Sequence, residues 1–218
     1  MSTDAASALR RARPRRGAPE DTRARLVAAA AELFNRHGYH RTDSNRIAQA
    51  AGYAAGTFYK HFADKSDAFL AAYEDWVTTE WDAIAGELRA ARSRDEAAEH
   101  IVAFVLRHHT RWRGLRSSMT ALVAEDAKVR AFHRAQRRRQ LETLRSLRGD
   151  TATPAGQTER DAVLLFTLER VCDAVANGEV RDLGLDRERV LALVRDTIAA
   201  AITPPAAAPR TKQRKEKP

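Results

Sequence analysis

A chain of 218 residues with a formal net charge of +9 and 44% apolar side chains is long enough for one ordinary domain with a small module attached, and too long for a lone nucleic-acid-binding motif. Its single cysteine, Cys172, excludes an intrachain disulfide and any multi-cysteine zinc site. Apolar runs stop well short of the ~20 residues of a membrane span, and no apolar h-region follows the N-terminal arginines, so a cytoplasmic protein with no membrane partner is expected.

Abundant Ala and Leu, with few Gly and Pro before residue 203, favour helices. No stretch alternates apolar and polar residues with β-branched enrichment, so the chain is read as all-α. The charge is unevenly placed. Residues 1–19 carry Arg10, Arg11, Arg13, Arg15 and Arg16 against Asp4, and residues 203–218 carry Arg210, Lys212, Arg214, Lys215 and Lys217 against Glu216. These are read as a disordered Arg-rich arm and a disordered basic tail around a nearly balanced body. Basic flanks suit a polyanion such as nucleic acid; they also serve as plain solvated tails, the better reading for the Pro-rich C-terminal one.

Leu26, Ala30, Leu33 and Phe34 recur on one helical face, and His37-Gly38 supplies a stop, predicting a first helix over about 21–37. Thr42 or Asp43 can cap a second helix over 44–51, which Gly52 ends. A third runs from about Ala55 to Phe62. Asp64 with Asp67 three residues on resembles an N-cap with an acidic N3 residue, opening a long helix through about Leu88. Further helical segments are expected at about 95–111, 115–124, 127–147, 158–177 and 187–202, separated by Arg113-Gly114, Gly149 to Gly156, and Asn177-Gly178. In the last two, Leu164, Leu168, Val171, Val175 and Leu191, Val194, Ile198, Ile202 form core stripes. A second stripe of Val163, Phe166, Val190 and Ala201 is free to pack on a copy of the chain.

Two short helices joined through a glycine are what a helix-turn-helix requires. Gly52 supplies the positive φ, and small Ala48 allows close helix approach. Ile47, Phe58 and Phe62 are suited to fill the space against the first helix. Thr57, Tyr59 and Lys60 are then left facing outward, with Gly56 permitting close backbone approach: hydroxyls, an ammonium and free N–H groups, which is phosphate-binding chemistry.

The stretches "TRARLVAAAAELFNRHGYHRT" and "IAQAAGYAAGTFYKHFADK" resemble the N-terminal domain of TetR-family transcriptional regulators, over about residues 20–70. The resemblance implies a helix-turn-helix DNA-binding domain at 20–66 and a helical effector-binding and dimerisation domain at 67–202. It also implies a homodimer that binds a palindromic double-stranded operator and is released by a small-molecule effector. Carried over by position, Thr42, Tyr53, Gly56, Thr57, Tyr59 and Lys65 are the expected DNA contacts, with Lys60 and His61 at the variable recognition positions and Asn45, Arg46 and Ala55 completing the DNA-facing set. Two positions depart from the pattern: Ser44 stands where an apolar residue is usual, and Arg46 where an acid is common.

An enzyme is the main rival. Glu96 and His100 share a helix face, with His108, His109 and His133 beyond, but a facing second set of carboxylates for a di-metal site is missing. Neither a Gly-rich phosphate loop nor a Ser/His or Cys/His arrangement stands out. No catalytic residue, metal or cofactor is therefore assigned. A nucleoid-architectural role through the basic flanks alone leaves the large body unexplained. In that body Trp76, Trp81, Phe104, Trp112, Met119 and Phe166 offer material for a cavity lining, although such residues are more often plain core in an all-helical body of this size. By position alone, Phe104, His108, Trp112, Met119 and Phe166 are nominated as effector-lining.

Overall fold

The computed structural model describes residues 19–148 and 154–202, so the arm, the tail and the break from Gly149 lie outside the described residues. Among the described residues there are ten helices and no strand: α1 (Pro19–His37), α2 (Ser44–Ala50), α3 (Ala55–Phe58), α4 (Lys65–Ala90), α5 (Arg94–Arg111), α6 (Arg113–Glu125), α7 (Ala127–Arg148), α8 (Gln157–Ala176), α9 (Glu179–Asp182) and α10 (Arg187–Ala201). They form two compact units. The first holds residues 19–81 and 108–140; the second holds 82–107 with the described residues from 141 onward.

The first unit is built around the apolar stripe of α1. Leu26, Ala30 and Phe34 are fully buried with Ile47, Ala48, Phe58 and Phe69. Phe34 meets Phe69 edge-on at 5.1 Å, and Tyr39 caps the pair, stacked on Phe34 at 5.7 Å. Against the same helix lies α6, and a single side chain organises the crossing. Asn35 on α1 accepts the Gly114 and Leu115 N–H groups at 3.0 and 3.2 Å, and donates from Nδ2 to the Arg111 carbonyl at 2.8 Å. It thus caps the start of α6, where Trp112 offers no side-chain cap, and satisfies a carbonyl at the end of α5. One turn further, the Ser118 hydroxyl donates to the Gly114 carbonyl and accepts the Tyr39 N–H.

The second unit has its own core of Ile84, Ala98, Ile101, Val102, Val105, Leu106, Leu168, Cys172, Leu191, Val194 and Ile198. Leu164, Val171, Val175 and Ile202 pack partly buried against it, so the two core stripes expected for the terminal helices face inward. Val163 and Phe166 on α8 and Leu193 on α10 stay 64, 53 and 67% exposed. Val163 also lines a shallow groove with Glu159, Arg160, Leu164, Thr167, Thr197, Ala200 and Ala201.

Three expectations need correction. The third helix is α-helical only to Phe58, because the Lys60 and His61 amides bond three residues back and the chain tightens into a turn before Phe62. Gly114 does not break the chain; it sits inside α6 because that helix needs a residue without Cβ where it crosses α1. The Asn177-Gly178 break contains the short helix α9, held by Gly178 and Gly184 at positive φ and by the Arg170 guanidinium on both Glu179 oxygens at 2.7 Å.

Candidate nucleic-acid interface

The turn between α2 and α3 follows from local chemistry. Asp43, rather than Thr42, caps α2, its carboxylate accepting the Arg46 N–H at 2.9 Å. Gly52 then adopts φ 85°, where a Cβ would be strained, and the chain reverses with the Tyr53 N–H on the Ala48 carbonyl at 2.9 Å. Three residues on, α3 starts, and Phe58 and Phe62 turn inward with their rings 5.4 Å apart. With Ile47 they are buried, as the spacing requires.

What remains is an outward face. Tyr59 is 60% exposed, propped edge-on by Phe58 at 5.3 Å. Asn45, Arg46, Ala55, Gly56 and Lys60 are exposed, and Tyr53, Thr57 and His61 are half-buried. A Cβ on Gly56 would meet nothing within 4 Å, so its backbone is open to a partner. Arg46 folds back so that its guanidinium donates to the Arg41 carbonyl, which fixes it beside the turn. Thr42 differs from its neighbours: it is buried, and its hydroxyl donates to the Gly38 carbonyl at 2.9 Å, ordering the turn before α2. Desolvation first, and then the charges of Arg46, Arg36 and Arg41, push the His37 imidazole below its ordinary pKa.

Lys65 opens α4 under tight control. Its ammonium donates to the Tyr39 carbonyl at 3.0 Å and lies 4.1 Å from the centre of the Tyr39 ring. Burial lowers its pKa, and the Asp43 carboxylate opposes that shift. Asp64 caps the helix through the Asp67 N–H at 2.8 Å, and Asp67 reaches back to the Ala63 N–H and forward to Lys128 at 2.6 Å. A cation in a first helical turn opposes the helix dipole, and one donor of Lys65 is already used. The two donors left suit a phosphate. Lys65→Ala is expected to weaken binding to all DNA sequences alike and to reduce the salt slope by about one per bound subunit, measured by titration at several salt concentrations. A changed base preference at one position would instead make Lys65 a base-reading residue.

The effector-lining candidates divide between the two units. In the first, His108 stacks on Trp76 with centroids 4.8 Å apart and planes 13° from parallel; burial lowers its pKa, with Glu80 opposing. Met119 is buried, and Trp112 is half-buried under the Arg111 guanidinium. In the second, Phe104 packs partly buried on the core and Phe166 is exposed. Buried Glu80 pairs with fully buried His109 at 2.9 Å, and the Arg116 guanidinium lies 5.0 Å from the centre of the Trp76 ring. His100 pairs with Glu87, not with Glu96, whose carboxylate accepts the Arg92 N–H. Among the described residues no group of three or more His, Cys, Asp or Glu is placed to hold a metal, and no helix is long and apolar enough to cross a membrane.

Residues 26–72 match the sequence model of the family described as bacterial regulatory proteins, tetR family. The HTH-type transcriptional regulator AcrR of Shigella flexneri is 40% identical over 55 residues, which span 25% of this chain and 26% of AcrR. An HTH-type transcriptional regulator of Staphylococcus aureus strain USA300 is 43% identical over 48 residues, 22% of this chain and 26% of its own. The chain therefore aligns with about a quarter of the length of these curated relatives. The fold likeness is wider. A transcriptional regulator from Rhodococcus sp. Rha1 superposes with a TM-score of 0.64 at 18% identity, covering 85% of this chain and 96% of that one. A TetR family transcription regulator from Marinobacter aquaeolei does so with a TM-score of 0.57 at 15% identity, covering 84 and 95%. The tetR family's domain therefore lies across the turn and outward face built above, and the all-helical fold is shared with these solved structures over most of its length.

Proposed function

We propose that the protein is a cytoplasmic, ligand-responsive transcriptional repressor, not an enzyme, that binds a palindromic operator as a homodimer and is released by a small apolar effector. The observation that carries this reading is the outward face from Asn45 to Lys65. It presents hydroxyls, cations and open backbone while Ile47, Phe58 and Phe62 close the core behind it. On this reading residues 20–66 contact DNA, with Lys60 and His61 reading base edges and Tyr53, Thr57, Tyr59 and Lys65 holding phosphates. Residues 67–202 carry the effector site and the dimer contact, the latter through about 158–177 and 187–202. The exposed Val163, Phe166 and Leu193 support the dimer, since one short recognition helix reads only a few base pairs and a second copy is needed for specificity.

The anchoring of the DNA-reading elements supports release by a ligand. Asn35, Tyr39 and Lys65 tie α1 and the turn before α2 to α4 and α6, so a shift of either long helix displaces the recognition elements. A ligand preferring one position of these helices would change DNA affinity about 5–150-fold for a coupling of ~1–3 kcal/mol, and by linkage the operator must weaken the ligand by the same factor. Trp76, stacked with His108, and half-buried Trp112 are suited to report binding by quenching. A panel of apolar small molecules is screened in this way, and a hit is titrated with and without operator. Equal affinity in both titrations would reject release by a ligand, and turnover of the hit would favour the enzyme reading.

A further inference from the structure

Ser44, the residue that departs from the usual apolar pattern, touches the residue with the most exposed ring on the DNA-facing surface. Its Oγ lies 2.8 Å from the Tyr59 hydroxyl, joining the first residue of α2 to the residue that follows α3. An apolar side chain at 44 would leave the phenol to rotate about its ring with no partner but water. Ser44 is only half-buried, so the hydroxyl does not fill a packing gap in the core.

We propose that Ser44 is a positioning residue for DNA binding: its hydroxyl orients the Tyr59 phenol so that the phenolic O–H donates to a backbone phosphate. This rests on the reading of Tyr59 as a phosphate contact. In the free protein either hydroxyl can donate to the other. A phosphate oxygen only accepts, so a phosphate beside Tyr59 fixes the order: Ser44 O–H donates to the Tyr59 oxygen, and Tyr59 O–H donates to the phosphate. A hydroxyl that itself accepts a hydrogen bond is polarised into a better donor, so the pair is worth more than its members taken separately. The ring is held from a second side by its edge-on contact with Phe58, which leaves the O–H direction as the remaining freedom. Ser44 governs that freedom without carrying charge or touching a base.

A double-mutant cycle tests this, with a labelled duplex recovered by selection from random DNA and a scrambled duplex of the same length as probes. Tyr59→Phe, which keeps the ring, and Ser44→Ala are each expected to weaken both probes about 3–10-fold per subunit, the size of one neutral hydrogen bond, with the salt slope unchanged because no cation is lost. The double variant is expected to bind no more weakly than Tyr59→Phe alone. Ser44→Thr, which keeps the hydroxyl, is expected to restore binding. Melting temperatures of Ser44→Ala and wild type should agree, which separates positioning from a loosened α2. If Tyr59→Phe has no effect, the phosphate reading of Tyr59 is wrong and the proposal falls with it. If Tyr59→Phe weakens binding while Ser44→Ala is neutral, strictly additive or thermally destabilising, the phosphate reading stands and the role given to Ser44 is overturned.

Discussion

Replacing Gly114 with alanine is expected to destabilise the first unit by about 3 kcal/mol, although alanine is the better helix former by about 1 kcal/mol. The two effects have opposite signs, which makes the result decisive. Gly114 lies in α6, where propensity alone predicts stabilisation. A Cβ built there would fall on the carbonyl of Asn35 in α1, and the obstacle is backbone, not the movable end of a side chain. To make room, α6 must back away from α1, lengthening the bonds from Asn35 to the Gly114 and Leu115 N–H groups and loosening the Ser118 contact with Tyr39. The melting temperature should fall by several degrees, at roughly 2–4 °C per kcal/mol for a protein of this size. Operator affinity should fall with it, because the turn before α2 rests on the same contacts. A variant as stable as the wild type would mean that α1 and α6 are not held at the separation described.

The second large effect is expected at the exposed apolar face. Val163→Asp combined with Leu193→Asp places two carboxylates on side chains 64 and 67% exposed in the single subunit, where substitutions cost little. In a dimer those carboxylates would be desolvated without partners, at several kcal/mol each. Sedimentation should show a monomer with unchanged helical circular dichroism, and operator binding should weaken by at least about 100-fold as the linked second half-site contact is lost. A double variant that remains dimeric would place the dimer contact elsewhere.

The parts of the fold written in local pattern were legible in the sequence, and the parts set by distant partners were not. The α1 stripe, Gly52 at the turn, the inward Phe58 and Phe62 and the Asp64 cap each depend on residues within a few positions, so spacing and turn chemistry sufficed. Gly114 reads as a breaker in the sequence, because the reason for it lies in α1, 79 residues away along the chain, through Asn35. The Glu80–His109 pair, 29 residues apart, leaves no spacing signal at all. The third helix reads as longer in the sequence than in the structure because no breaker follows Phe58, while the backbone tightens after it and Phe62 is buried. At the candidate site the outward identity of Tyr59 and Lys60 followed from elimination once the buried face was known. The hold of Tyr39 on Lys65 and of Ser44 on Tyr59 did not, since side-chain pairing across a turn depends on its three-dimensional path.

Sequence-specific DNA recognition through the surface between Asn45 and Lys65 is measured directly by selection of bound duplexes from a random library. The expected result is enrichment of an inverted repeat whose half-site centres lie about 10 base pairs or a multiple of that apart, as two symmetry-related recognition helices require. Substituting Lys60 and His61 together should then change the enriched half-site sequence without changing the spacing. Recovery of duplexes with no shared sequence, or of the same sequence after Lys60 and His61 are replaced, would contradict the account.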